Sequence, residues 1–359
     1  MTPRYSIAHL RTVARLSSGA PTDADALSRS DSLTLTDCAV AHGLGAAVFL
    51  ALERAQLLDT WDVSSLDAFR DDLITTTGAN LRRATQLSAI LTTLEAAAIT
   101  ALAYKGPSLA WQAYGHIGAR LFDDLDLLVA PADRAAASRA LEAVGYTRDL
   151  HESRLGAVLP AVAHVDRLLP STADGVPVEI HSSVAPWRLA ARLPAADALS
   201  RRVPCPLPTG AVPTLSTEDT LIALSVHAST HTWSHVRFAC EIAGVTRRAP
   251  VDWDLLRDRA SGARVAREVR VGVLMANDLC AAPLPSDVFA WADRDRVARI
   301  ICADRIAALC DRRPPPERWQ GIRAHLRYRE HLLDKARYFA RNEIIGWAQK
   351  LPWERWRGR

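Results

Sequence analysis

The chain has 359 residues, 49% of them hydrophobic and 23% charged, with a formal net charge of +4, a globular balance with ample material for a core. No apolar run approaches the ~20 residues that a membrane helix needs, and Met1 to Arg11 lack an apolar stretch ahead of a small-residue cleavage site, so no secretory signal is expected. The six cysteines include no Cys-x-x-Cys pair, which argues against a structural zinc site and fits a reducing cytosol.

In chain order, the first thirty or so residues are polar, and Ser17 to Ser32 read as loop. Helical patterning begins near Thr36, with Val40, Leu44, Val48 and Leu52 spaced along one face. A second helical stretch covers Ser64 to Ala97, with Leu66, Phe69, Leu73, Leu87, Leu91 and Leu94 as core candidates. Ile99 to Tyr104 is a short apolar run suited to a buried strand, broken by Lys105-Gly106-Pro107-Ser108, after which Ser108 to Tyr114 suits a short helix. Asp124 to Val129 reads as a strand, and the alanine-rich stretch from Pro131 to Val144 as a helix ended by Gly145. Further strands are expected at Ala161 to Leu169 and Val176 to His181, with Asp174-Gly175 as a hairpin signal between them. Pro177 suggests that the last of these lies at an edge or turns its proline nitrogen away from the ladder.

From Ser216 the pattern is helical again: Thr217–His231, Val236–Thr246, Asp252–Arg259, Ala263–Leu279, Asp293–Cys310 and Arg323–Trp347. Proline clusters at Pro204–Pro213 and Pro314–Pro316 are the linker candidates. The expected organisation is α+β with a small mixed sheet: a helical N-terminal lobe (1–97), an α/β core (98–203), a helical C-terminal lobe (214–311) and a basic terminal helix and tail (312–359). That last segment holds 13 Lys/Arg against 5 Asp/Glu, which suggests an anionic contact or a solvated arginine-rich helix face.

The segment that carries chemistry is Arg120-Leu121-Phe122-Asp123-Asp124-Leu125-Asp126-Leu127-Leu128-Val129. On a strand, Asp124 and Asp126 project from one face while Leu125, Leu127 and Val129 point to the other. Paired carboxylates in so apolar a strand need a counter-charge. That can be Mg²⁺ or Mn²⁺, which bind carboxylate and phosphate oxygens, or an arginine such as Arg120. In Val178-Glu179-Ile180-His181 the same alternation exposes Glu179, able to complete a metal site or act as general base, together with His181, facing a cleft. Lys105 is one of only three lysines among 44 basic residues, at a turn where Gly106 permits close approach and Ser108 opens a helix. With Arg120, these are the phosphate-binding candidates.

Tyr104-Lys105-Gly106, then Arg120 and Asp123-Asp124-Leu125-Asp126-Leu127-Leu128-Val129, then Val178-Glu179-Ile180-His181, resemble an uncharacterised nucleotidyltransferase family of the DNA polymerase β-like superfamily. Its pattern is Leu-Lys-Gly, an Arg with Asp-Ile-Asp-Leu-Leu-Val, and an acidic residue with histidine on a later strand. The likeness extends to Ala41-His42-Gly43, to His227-x-x-x-His231-x-Trp233, to Glu241-Ile242-Ala243 and to Asp252-Trp253, about Thr36 to Pro285 in all. It departs at Lys105-Gly106-Pro107-Ser108, where the superfamily carries Gly-Ser or Gly-Gly, and at Glu241, where relatives carry Asp. The resemblance implies a polymerase β-like core and transfer of an NMP from an NTP, ATP being the expected one, to a hydroxyl or phosphate acceptor with release of pyrophosphate. It implies metal ligation by Asp124, Asp126 and Glu179. The acceptor would belong to a peptide, sugar or small molecule, with no stable nucleic-acid partner. The alternative is a non-catalytic nucleotide-binding or antitoxin-like protein of the same fold.

His227, His231 and His235 recur at helical spacing, but without a His-Glu-x-x-His arrangement or a further ligand they do not point to zinc, and His227 and His231 are expected to line the cleft or satisfy core hydrogen bonds. In the C-terminal segment Leu332, Ala336, Phe339 and Ile345, with Trp347, Trp353 and Trp356 beyond, suggest a helix docking its apolar face on the body, the alternative being a contact with an anionic membrane surface or RNA.

Overall fold

The computed structural model describes residues 5–21, 31–149, 165–172, 175–314 and 318–348. Residues 161–164, Asp174, Pro315, Pro316, Trp353 and Trp356, which figure in the expectations above, lie outside the described residues, as does most of the Ser17–Ser32 loop. Before the sheet come α1 (Ile7–Ser17), α2 (Ser32–Ala41), α3 (Gly45–Arg54) and α4 (Val63–Ala96). Helix α1 is an addition to the expected pattern. Leu10, Val13 and Ala14 form its buried stripe, and Ser6 caps it with His9 completing a reciprocal capping box. Helices α2 and α3 replace one continuous helix, because the chain turns at Gly43 with φ +65°. Leu44, Val48 and Leu52 are fully buried, whereas Val40, before the break, is exposed.

The sheet contains β1 (Ala101–Ala103), β2 (Leu125–Val129), β3 (Tyr146–Arg148), β4 (Val165–Pro170), β5 (Val178–His181), β6 (Val203–Leu207) and β7 (Gly210–Thr214). Within and around it lie α5 (Gly106–Tyr114), α6 (Arg134–Glu142) and α7 (Ala195–Ser200). Strand order is β3-β4-β5-β2-β1-β7-β6. The pairs β2–β5 and β1–β7 are parallel and the others antiparallel, so the sheet is mixed, as expected.

Two strand expectations change. Residues Pro204–Pro213, read as a linker, form the β6–β7 hairpin, and β6 is a sheet edge that tolerates Pro204 and Pro206. Strand β5 is internal rather than at an edge. Pro177 precedes it and uses only its carbonyl, which accepts the Leu125 N–H at 2.9 Å, so its missing donor costs the ladder nothing.

After the sheet follow α8 (Thr217–Thr230), α9 (Arg237–Arg248), α10 (Trp253–Gly262), α11 (Ala266–Cys280), α12 (Ser286–Asp293), α13 (Arg296–Cys310), α14 (Arg318–Leu326) and α15 (Leu332–Ala348). Leu125, Leu127, Val129, Val178 and Ile180 bury one face of the sheet against Leu87, Ile90 and Leu94 of α4 and Ala137 and Leu141 of α6. Leu102, Tyr104 and Leu128 point the other way, toward Ala195, Ala198 and Leu199 of α7. The helices before and after the sheet share one core, in which Val13 and Val48 join Cys240, Val269 and Ile301. Helix α15 docks through Asp334 and Tyr338, which are buried, while Leu332 and Phe339 are exposed. The docking stripe is therefore rotated from the one expected, because Asp334 pairs with Arg264 at 2.7 Å. No described helix is long and apolar enough to cross a membrane.

Candidate metal and nucleotide site

Side-chain alternation and register together build the site. Strands β2 and β5 run parallel with Asp126 opposite Glu179 and Leu128 opposite His181. Asp126, Glu179 and His181 thus share the face that α7 covers elsewhere. Among the described residues these three form a group whose candidate ligand atoms all lie within 4.8 Å of one another. His181 Nε2 is 2.9 Å from Asp126 Oδ1 and 3.2 Å from Glu179 Oε2, and Lys105 Nζ is 3.0 Å from the same Asp126 oxygen. The His181 ring meets Tyr104 edge-on at 5.2 Å.

Electrostatics follow from this packing. Burial alone would raise the Asp126 pKa, but Lys105 and the His181 hydrogen bond reverse the sign and hold it far below the carboxylate range. The hydrogen bond from His181 lowers Glu179. Burial opposes protonation of His181, yet its two carboxylate partners raise it above the ordinary imidazole value. Burial likewise opposes the Lys105 charge, and Asp126 overcomes it. Asp124 differs. Burial first, then Asp126 and Glu179, push it up to about 6, and Lys105 and Arg120 only partly offset them. Of the three carboxylates, Asp126 and Glu179 are thus held ionised and Asp124 alone resists ionisation.

The other candidates take separate positions. Asp124 is half-buried and immediately precedes β2. It falls outside the three-residue group, yet it is near enough to Asp126, Glu179 and Lys105 for their charges to act on it. Lys105 occupies the N-cap position of α5. Gly106 has φ +54°, a left-handed conformation that favours glycine, and a Cβ there would meet the Asp124 carbonyl oxygen at 3.6 Å. Ser108 is fully buried, its hydroxyl has no partner among the described residues, and its carbonyl accepts the Cys205 thiol of β6. Its hydroxyl is therefore closed to a phosphate arriving from solvent.

Arg120 is neutralised by Glu241 of α9, with Nε 2.8 Å from Oε1 and only 1% of the Glu241 side chain exposed. Asn80 of α4 fixes the turn before it, donating to the Ile117 and Arg120 carbonyls at 2.7 and 2.8 Å. His227 and His231 lie side by side, ring centroids 4.5 Å apart. Burial and then Lys105 keep both below the ordinary imidazole value. His235 lies beyond a turn at Thr232 and Trp233 and faces His42 instead, at 6.0 Å.

Sequence reasoning underweighted two residues. Glu241 was noted but given no role, and it holds Arg120. Arg237, one helical turn before it, has no carboxylate partner among the described residues and packs over Phe238. Its charge helps to lower His231. The available signal was the i, i+4 spacing of Arg237 and Glu241 on one amphipathic helix.

A small mixed sheet with acidic side chains on adjacent strands, set between helical flanks, is the architecture of a nucleotidyltransferase core. A family model described as "Uncharacterised nucleotidyltransferase" matches residues 28–281, and the chain belongs to that family. No curated protein matches the chain.

Proposed function

We propose that the protein transfers a nucleoside monophosphate from an NTP, ATP first among them, to a hydroxyl on a peptide, sugar or small molecule. The observation that carries this reading is the β2–β5 register, which sets Asp126 beside Glu179, in a chain of a nucleotidyltransferase family. The carboxylate oxygens of Asp126 and Glu179 suit Mg²⁺ or Mn²⁺, with His181 bonded to both carboxylates rather than counted as a ligand. Asp126 and Glu179 would hold the ion, with Asp124 beside them, its pKa raised first by burial and then by the two neighbouring carboxylates. When bound, the ion would neutralise triphosphate charge and polarise the phosphoryl oxygens.

The chain's own residues supply the remainder. Lys105 donates to phosphate oxygens when it releases Asp126. Glu179 accepts the proton of the acceptor hydroxyl. The hydroxyl oxygen bonds to the α-phosphorus, the bond to the bridging oxygen breaks, and pyrophosphate leaves with the electron pair. His181 holds the two carboxylates in register, and neutral His227 and His231 line the acceptor side. Catalysis of this kind is positioning and charge neutralisation.

The test incubates the full chain with each NTP, MgCl₂ and mixed hydroxyl acceptors, and measures pyrophosphate release and the mass of added NMP. Wild type is expected to give both products and Glu179→Gln neither, with its melting temperature retained. NTP binding without transfer to any acceptor would favour the non-catalytic alternative. Transfer undiminished in Glu179→Gln and Asp126→Asn would refute the site.

A further inference from the structure

Helix α15 turns its polar side to the body and its apolar side to solvent. Asp334 reaches inward to Arg264 at 2.7 Å, and Tyr338 is buried. Arg341 donates to the Trp187 carbonyl at 2.6 Å and lies over the Trp187 ring. On the opposite side Leu332 is 83% exposed, Leu333 56%, Phe339 46% and Ile344 40%, with Ala336 and Ala340 exposed between them. At ~100° of rotation per residue these side chains cover an arc of roughly 140°. Glu343 is the one charged residue within it. Leu332 is the most exposed large apolar residue among those described. An ordinary surface helix has the reverse arrangement, and a contiguous apolar face left in water marks an interaction surface.

The charge around this face selects its occupant. Residues 312–359 hold 13 Lys/Arg against 5 Asp/Glu, and residues 349–359, directly after the helix, hold 4 basic residues against 1 acidic, together with Trp353 and Trp356. Arg337 borders the face with its side chain 44% exposed. A second copy of the chain would bring like charge against like. A nucleic acid would meet the charge and leave Leu332 and Leu333 in water. A bilayer surface that contains anionic lipid satisfies both features. Its acyl boundary takes the apolar face, its headgroups take the Lys and Arg side chains, and tryptophan favours the zone between.

We propose that the outward face of α15 docks on an anionic bilayer surface, with Leu332, Leu333, Phe339 and Ile344 entering the headgroup–acyl boundary. The basic residues that follow the helix supply the attraction to the headgroups. The helix lies along the surface and does not span it, since apolar residues line only one of its sides.

The test floats the full chain with phosphatidylcholine vesicles, with and without phosphatidylglycerol, at low and at high salt. Wild type should float with the anionic vesicles at low salt, and high salt should weaken that binding. Leu332→Gln/Phe339→Gln should weaken it about tenfold or more, through lost apolar burial, and Arg355→Gln/Arg357→Gln by a similar factor, through lost charge. Because these side chains are exposed, the first variant should keep the wild-type melting temperature. Absence of wild type from the anionic vesicles, equal binding to neutral vesicles, or undiminished binding of Leu332→Gln/Phe339→Gln would overturn the proposal. So would a lowered melting temperature in that variant, which would show that another segment of the chain covers the face. Light scattering that finds a dimer in wild type and a monomer in the variant would give the face to a second copy instead.

Discussion

Lys105→Met offers the sharpest test of the charge balance around Asp126. The ammonium is 3.0 Å from a carboxylate whose residue is 4% exposed, and it is the strongest influence opposing burial there. Removing one partner of a buried ion pair costs ~3–5 kcal/mol. His181 still donates to the same oxygen, so the lower end, about 3 kcal/mol, is expected. The variant also leaves the carboxylates more negative, and Mg²⁺ no longer competes with an ammonium for Asp126. Mg²⁺ at a hundred times its Kd returns ~2.7 kcal/mol. Denaturant unfolding with and without MgCl₂ at constant ionic strength should therefore show a larger Mg²⁺ stabilisation in Lys105→Met than in wild type, and none in Asp126→Asn. Equal Mg²⁺ effects in all three proteins would place the ion elsewhere and refute the reasoning, as would a Lys105→Met chain as stable as wild type.

Two further effects follow from the same energetics. Glu241→Ala leaves the buried Arg120 guanidinium without its carboxylate, and a loss of ~3–5 kcal/mol in denaturant unfolding is expected; the double variant Arg120→Met/Glu241→Leu should recover most of it. Burial, reinforced by His235, Arg312 and Arg237, lowers His42 from 6.5 to about 4. Below pH 6.5 the unfolded state therefore binds a proton that the fold rejects, so stability is fully present above pH 6.5 and falls as pH drops toward 4. The shift corresponds to about 3 kcal/mol, and His42→Asn should flatten the melting-temperature profile across that window; a profile unchanged by the substitution would contradict the account.

Much of the site was legible because strand alternation is a local rule. The apolar residues Leu125, Leu127 and Val129 name the buried face of β2, and Val178 and Ile180 that of β5, so Asp126, Glu179 and His181 had to share the other face. The parallel register that sets Asp126 opposite Glu179 is not local, and only the fold supplies it. Arg120 looked like a free phosphate ligand because its partner lies 121 positions away on α9. The β6–β7 hairpin was hidden by its prolines: Pro204 and Pro206 lie on the edge strand, and Pro213 on β7 precedes Thr214, the one residue at which β7 pairs with β1. Helix α1 was hidden by polarity, since His9 stands where the familiar capping box has Glu or Gln.

The long-range contacts also explain why an acidic site can be held ready in a short loop-and-strand segment. The chain between α5 and β2 is fixed at both ends and in its middle. Gly106 starts α5 in a conformation open to few other residues, directly beneath the Asp124 carbonyl. Gly244 lets α9 approach the Ala113 carbonyl so closely that a Cβ would collide with backbone, and the same helix carries Glu241 to Arg120. Asn80, fully buried in α4, holds the two carbonyls of the intervening turn. Helices from before and after the sheet thus grip one segment from opposite sides. The fold itself thus holds the carboxylates at its end, and the transfer proposed above would then need little reorganisation for charge stabilisation.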